Sequence, residues 1–324
     1  MLRFVLLVTA LLLISQFASH DADEDKIVPL SDIERQYTNS GPSKPSRVTY
    51  SLPCDRKNNI CDIWYPSDIG QGAPRPAILW ANGTANGPVE PEVYDYLLSH
   101  IASWGFVVIA TRDPRTGYGD TVLDTLSYLH RITNDQNSMF YNRVNFERIG
   151  AAGHSQGATG AINAMLNSSG KVRTSVAFQL PQQRWCSPAD LCVLTEVLKA
   201  ASVGSIFYVG GTRDFIISPD RQWLGSDLNS LTAYYDATPD RLLKVKGLVM
   251  GANHNDILGK PDCKSAELGG PLTCTRGVQA YLGISTAWFV SQLKDSRPAS
   301  EFFRTTHGAF FSAAGWTGQV SNIR

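Results

Sequence analysis

The sequence predicts an α/β protein: one doubly wound, mostly parallel sheet flanked by helices, opened by an N-terminal hairpin and carrying no large lid domain. Three observations carry that expectation. Apolar runs of strand length alternate with segments of helical period along most of the 324 residues. Those strand runs are predominantly apolar, as befits strands covered on both faces. No repeat, composition break or long insertion interrupts the alternation, so a single domain is expected.

Read in order, the chain begins with Arg3 and a mostly apolar stretch from Phe4 to Ile14, followed by Ser15 to Ser19 and an acidic run. This is the pattern of a signal peptide over residues 1–19, with cleavage expected near Ala18 to Ala22 and a secreted, extracellular product. The apolar stretch falls short of the roughly 20 residues that span a membrane. No Cys follows it to carry a lipid, so no stable membrane association is expected after cleavage. Residues 20–46 are acidic and are expected to be mobile, with the folded domain over 47–324. Two extended segments, Val48 to Pro53 and Asp62 to Pro66, form the expected hairpin. Strands then follow at Ala77 to Ala81, Phe106 to Thr111, Arg148 to Gly153, Thr174 to Leu180, Ser205 to Gly210 and Leu243 to Met250. Helices are expected near Glu92 to Trp104, Asp120 to Ile132, Gln156 to Asn167, Pro188 to Ala201, Asp220 to Tyr235 and Val278 to Leu293. The tail from Arg297 to Arg324 carries Phe302, Phe303, Phe310, Phe311 and Trp316, too aromatic for a loose end, and is expected to pack back on the domain.

Composition narrows the function. Hydrophobic residues make up 43% and charged residues 18%, a globular balance with a packed core. The 29 basic and 29 acidic residues cancel and no basic block stands out, so nucleic acid is not an expected partner. Six cysteines form three close pairs, Cys54 with Cys61, Cys186 with Cys192 and Cys263 with Cys274. Fifteen pairings are possible, but an even count behind an export signal favours disulfides between sequence neighbours. No pair has zinc-knuckle spacing or an adjacent His, so no metal is expected. Two glycosylation sequons occur, Asn82-Gly83-Thr84 and Asn167-Ser168-Ser169.

The motif that carries chemistry is Gly153-His154-Ser155-Gln156-Gly157, a G-x-S-x-G nucleophile elbow. It directly follows a predicted strand and opens a helix of small residues, the context such an elbow needs. A phosphate cradle at a helix N-terminus is the competing reading, but the chain here lacks a P-loop Lys and the three-glycine dinucleotide pattern. A serine hydroxyl is a weak nucleophile until a base takes its proton. Of six histidines, His254 in Gly251-Ala252-Asn253-His254-Asn255 lies in a polar loop after the last strand and is the expected base. His154 is expected to point away from the site; His20, His100, His130 and His307 read as surface or structural. The orienting acid should follow the preceding strand, which selects Asp214, with Asp220 and Asp227 as rivals. Backbone N–H donors for an oxyanion are expected from Gln156 and from the loop Asn82 to Gly87, where Gly83 is the first choice and Thr84 its near rival beside the substrate. A plain Gly-rich turn would share that loop's composition. A glycan on Asn82 would crowd this mouth.

With those residues in place, the stretch from about Ala77 to Leu258 resembles the polyesterase, cutinase and dienelactone-hydrolase branch of the α/β-hydrolases. The matching pieces are Ile78 to Thr84, Leu98 to Val108, the elbow, the Asp214 segment and the Asn253-His254 loop, in the family's order. The resemblance implies a secreted, cutinase-like serine esterase that cleaves carboxylic esters through an acyl-enzyme without a cofactor, as a monomer acting on a small ester or a polyester. In bacterial polyester hydrolases of that branch an aromatic residue often supplies the second oxyanion amide and a Met follows the nucleophile; Gly83 and Gln156 stand at those places. Trp185 resembles the tryptophan lining the acyl pocket there, while a buried or disulfide-stacked Trp beside Cys186 is the other reading. The competing functions are a peptidase or amidase on the same scaffold, or a catalytically silent secreted binding protein.

Overall fold

The computed structural model describes residues 31–222, 229–258 and 274–324. Its elements run α1 (Asp32–Thr38), β1 (Pro45–Thr49), β2 (Cys61–Pro66), β3 (Arg75–Ala81), α2 (Asp95–Ser103), β4 (Val107–Thr111), α3 (Asp120–Asn134) and β5 (Val144–His154). There follow α4 (Gln156–Asn167), β6 (Val172–Phe178), α5 (Thr195–Lys199), β7 (Ser205–Gly211), α6 (Leu231–Ala237), β8 (Leu243–Val249), α7 (Gln279–Leu293), α8 (Arg297–Phe302) and β9 (Trp316–Ser321). The nine strands form one sheet in the order β1-β2-β4-β3-β5-β6-β7-β8-β9. From β4 to β8 every pairing is parallel, while β1, β2 and β9 run antiparallel at the two edges. The α/β class and mostly parallel sheet expected from the apolar runs are therefore present.

Successive residues of a strand point to opposite faces. In β3, Ile78 and Trp80 enter one core with α2 and α7. Ala77, Leu79 and Ala81 enter the other, with α3 and α4. Both faces are covered, which is why these runs show no polar alternation. The strand order reverses between β3 and β5, because β4 is laid on one side of β3 and β5 on the other. Such a switch point leaves a crevice at the carboxyl ends of the strands.

Several expectations need correction. The segment 20–46 was expected to be mobile, yet from Ser31 onward it is built into the domain. The Ser31 hydroxyl caps α1 by accepting from the Glu34 amide, 3.2 Å, and Tyr37 is buried against Trp104 with ring centroids 4.7 Å apart. A helix of seven residues in an acidic stretch shows too short an apolar stripe to read; its order comes from packing. The hairpin is shifted, with Pro45 opposite Pro66 and Thr49 opposite Asp62. The helix expected from Pro188 to Ala201 is broken into a turn at Ala189–Leu191 and the short α5, separated by extended backbone at Cys192. Of the helix expected from Asp220 to Tyr235, α6 covers the C-terminal part only, and residues 223–228 lie outside the described residues. The aromatic tail packs as expected: Phe303, Phe310 and Trp316 surround Phe207, and β9 pairs with β8.

Disulfides join Cys54 to Cys61 and Cys186 to Cys192, with Cα atoms 5.8 and 5.6 Å apart. The pair Cys263–Cys274 and the signal peptide over residues 1–19 fall wholly or partly outside the described residues. Among the described residues no helix is long and apolar enough to cross a membrane.

One buried contact has a pH signature. The His100 Nε2–H donates to the Tyr37 carbonyl at 2.9 Å, tying α2 to α1. Burial lowers the pKa of this imidazole from 6.5 to about 4. The unfolded chain therefore binds this proton in a pH range where the folded chain does not, and stability rises with pH across that range. As pH drops from about 6.5 to about 4, His100 is expected to remove on the order of 3 kcal/mol of stability and then level off. Denaturant unfolding at a series of pH values should show that slope reduced in His100→Gln, which keeps an N–H for Tyr37; equal slopes in both proteins would contradict it.

Candidate active site

Ser155 stands where β5 ends and α4 begins, at the switch between β3 and β5. Its backbone has φ 55° and ψ −126°, a region that costs a non-glycine residue on the order of 1–3 kcal/mol. The Ser155 amide donates to the Phe178 carbonyl at 2.9 Å, which anchors the turn to β6. The two elbow glycines let three backbones meet. A Cβ on Gly153 would lie 2.1 Å from the Gly157 oxygen, and one on Gly157 would lie 2.1 Å from the Ala81 oxygen at the end of β3. No side chain fits either place.

The predicted base and acid converge on this turn. His254 Nε2 lies 2.9 Å from Ser155 Oγ, and His254 Nδ1 lies 2.6 Å from Asp214 Oδ2. An ionised carboxylate only accepts, so Nδ1 carries the proton and Nε2 is left to accept from the Ser155 hydroxyl. Asp214 is 2% exposed and His254 3%, so water does not compete for these bonds. The other Asp214 oxygen accepts from the Ser218 amide at 3.2 Å, fixing the carboxylate plane. The rival Asp220 is engaged elsewhere, paired with Lys246 Nζ and accepting from the Thr232 hydroxyl. Asp227 lies outside the described residues.

Sequence reasoning missed the group that holds the His254 loop. Asp256, fully buried two residues after His254, accepts from the backbone amides of Asn253, Thr275, Arg276 and Gly277 and from the Thr275 hydroxyl. One carboxylate thus pins the His254 loop to the segment leading into α7. Little in the sequence marks this role, because all its partners but Asn253 come from 19 to 21 residues later in the chain.

The oxyanion expectation is half altered. Gln156 is the first residue of α4, where the helix leaves an amide without an intrahelical partner. The Gly83 amide, the first choice for the second donor, instead donates to Tyr94 Oη at 3.0 Å within the core. It is committed inward and does not face the nucleophile. A side chain at Gly83 would meet Tyr94 Oη at 3.0 Å and His154 Nδ1 at 3.2 Å, and this close approach is the physical reason for the glycine. Thr84 is exposed and joined to Gln156: the Gln156 Nε2 donates to Thr84 Oγ1 at 3.0 Å, while its Oε1 accepts from the Gly117 amide at 3.1 Å. His154 is corrected as well. Far from pointing away, its buried ring lies 5.0 Å from that of His254 and its Nε2 contacts the His254 carbonyl at 2.9 Å.

Trp185 is 50% exposed, which excludes the buried reading. Its indole N–H donates to the Ile216 carbonyl at 3.0 Å, so it stands against the acid loop. The Cys186–Cys192 disulfide closes the loop that directly follows it. A cleft of about 640 Å³ lined by Gly211, Thr212, Phe215, Pro219 and Leu248 lies beside Asp214. Neither Ser155 nor His254 borders it, so it is not where the serine would meet a substrate. Neither a protein-family model nor a curated protein matches this chain.

Two outcomes follow for this site. Asp256→Ala removes a buried charged acceptor and is expected to cost about 3 kcal/mol or more, measured as a lower denaturation midpoint; an unchanged midpoint would show the loop is held by something else. The Asn82 side chain is buried and its Nδ2 donates to the Thr111 carbonyl, whereas Asn167 is exposed. Expression in a glycosylating host followed by peptide mass spectrometry should therefore find no glycan on Asn82, and a folded protein with Asn82 occupied would contradict the placement of that loop.

Proposed function

We propose that this chain is a serine hydrolase of the α/β-hydrolase type, a carboxylic ester hydrolase working through an acyl-enzyme. The single observation that carries the reading is the hydrogen-bonded chain Asp214–His254–Ser155, with contacts of 2.6 and 2.9 Å, ending on a strained serine at a strand-to-helix turn. Structural serines have no need of all three features together.

In this mechanism His254 Nε2 takes the Ser155 hydroxyl proton as Oγ bonds to the ester carbonyl carbon. Asp214 keeps the imidazole in the required tautomer and stabilises the imidazolium that forms. Negative charge on the former carbonyl oxygen is met by the Gln156 amide and, in place of Gly83, by the amide of Thr84. Gln156 contributes twice, because its side chain also holds Thr84 and Gly117 in place. Collapse of the tetrahedral species breaks the ester C–O bond, and His254 returns the proton to the departing alcohol. Water then gives a proton to His254 Nε2, attacks the acyl carbon and releases the carboxylate, leaving Ser155 protonated as at the start. No step requires a metal or organic cofactor.

The cutinase-like and polyesterase-like assignment belongs to the same proposal and rests on the resemblance of the segments around Ala77 to Leu258, with Trp185 at the acyl side. Secretion is proposed from the export pattern, with the two disulfides in support.

Ser155→Ala is expected to lower kcat for a p-nitrophenyl ester by roughly 10⁴-fold or more with folding intact. The matching anilide should be turned over far more slowly by the wild type. Ester turnover by Ser155→Ala near the wild-type rate would falsify the assignment, and failure of a fluorophosphonate to label Ser155 would favour a binding protein.

A further inference from the structure

Behind the triad lies a second hydrogen-bonded chain that the mechanism above does not use. The Gly83 amide contacts Tyr94 Oη at 3.0 Å, Tyr94 Oη contacts His154 Nδ1 at 2.9 Å, and His154 Nε2 contacts the His254 carbonyl oxygen at 2.9 Å. Its direction is fixed by its ends. An amide can only donate and a carbonyl can only accept. His154 must therefore carry its proton on Nε2, its Nδ1 must accept from the Tyr94 hydroxyl, and Tyr94 Oη must accept from Gly83. In a neutral ring, reversing the Tyr94–His154 link would set a bare Nε2 against the His254 carbonyl, acceptor against acceptor.

The chain joins parts that the sequence places far apart. Gly83 lies in the loop after β3, Tyr94 at the start of α2, His154 at the last position of β5, and His254 beyond β8. Tyr94 is 4% exposed and His154 3%. The titratable groups facing the His154 ring are Tyr94 and His254, and no carboxylate bonds to it among the described residues. Burial and the neighbouring His254 both lower its pKa well below the ordinary histidine value, in keeping with a neutral ring.

We infer that Gly83, Tyr94, His154 and His254 form a one-way relay that sets the oxyanion loop and the base in register, with Tyr94 and His154 as positioning residues. The inference rests on the hydrolase reading. The relay takes the Gly83 amide inward, and the next residue, Thr84, is joined to Gln156 through its hydroxyl. By holding the His254 carbonyl, it fixes the imidazole whose Nε2 must meet Ser155. A neutral His154 also adds no positive charge beside the imidazolium that forms at His254.

Two measurements test it. In wild-type protein with ¹⁵N-labelled histidine, His154 should show a protonated Nε2 and a bare Nδ1 throughout about pH 5 to 8, the range in which an ordinary histidine titrates. The Nδ1–H tautomer, or titration of His154 inside that range, would overturn the relay without reference to activity. Tyr94→Phe removes one hydroxyl and little volume. Its kcat per fluorophosphonate-titrated site should fall roughly 10- to 100-fold, the scale of a misplaced reacting geometry, with KM close to wild type. A Tyr94→Phe protein with lowered Tm but wild-type kcat per titrated site would reduce Tyr94 to a packing residue and overturn the inference. Absence of any Ser155-dependent turnover in the wild type is a different result, and sinks the hydrolase reading itself.

Discussion

The close meeting of three backbones at the carboxyl end of β3 and β5 is the constraint on which the rest depends. Gly153 and Gly157 allow the end of β3, the elbow and the first turn of α4 to approach within distances that no Cβ permits. Because that packing is tight, Ser155 is held in a backbone conformation it would leave if free. The cost falls on a surrounding sheet covered on both faces. The same approach brings the loop after β3 beside Gln156, whose side chain donates to Thr84 Oγ1.

Around this point the polar groups are arranged so that few are left to water. Asp214, His254, Asp256 and His154 are all buried, and each has its partners: a carboxylate held by Ser218, an imidazole between Asp214 and Ser155, a carboxylate gathering backbone amides, and a second imidazole between Tyr94 and the His254 backbone. A buried polar group left unpaired costs more than its hydrogen bond contributes when made. The loops of such a site therefore hold a defined geometry without belonging to regular secondary structure. Gln156 extends this outward by bridging Thr84 and Gly117, and Trp185 does so on the acid side through Ile216.

How much was legible follows from the range of each interaction. The strands could be read because a doubly covered strand is largely apolar, although β8 also buries Lys244 and Lys246, and the start of α4 because Gly157 leaves no room for a Cβ against the end of β3. The hydrogen-bonded set Ser155, His254 and Asp214 could be read because each member follows a strand at the carboxyl edge, where chain order alone gives its place. By contrast α1, barely two turns long, carries almost no periodic signal, and the helix expected through Pro188 to Ala201 failed because the chain is extended again at Cys192.

The alternation of strand and helix, the elbow, and the meeting of Ser155, His254 and Asp214 could be anticipated from the chain alone, since all of these are local patterns placed in order along it. Folding was needed to show which way the Gly83 amide points, that His154 backs onto His254, and that Asp256 anchors the His254 loop. The reason is physical: a hydrogen bond is directional and its partner here lies 11, 60 or 100 residues away. Residue type can say that a donor or acceptor exists, but only the packed chain says which one it faces.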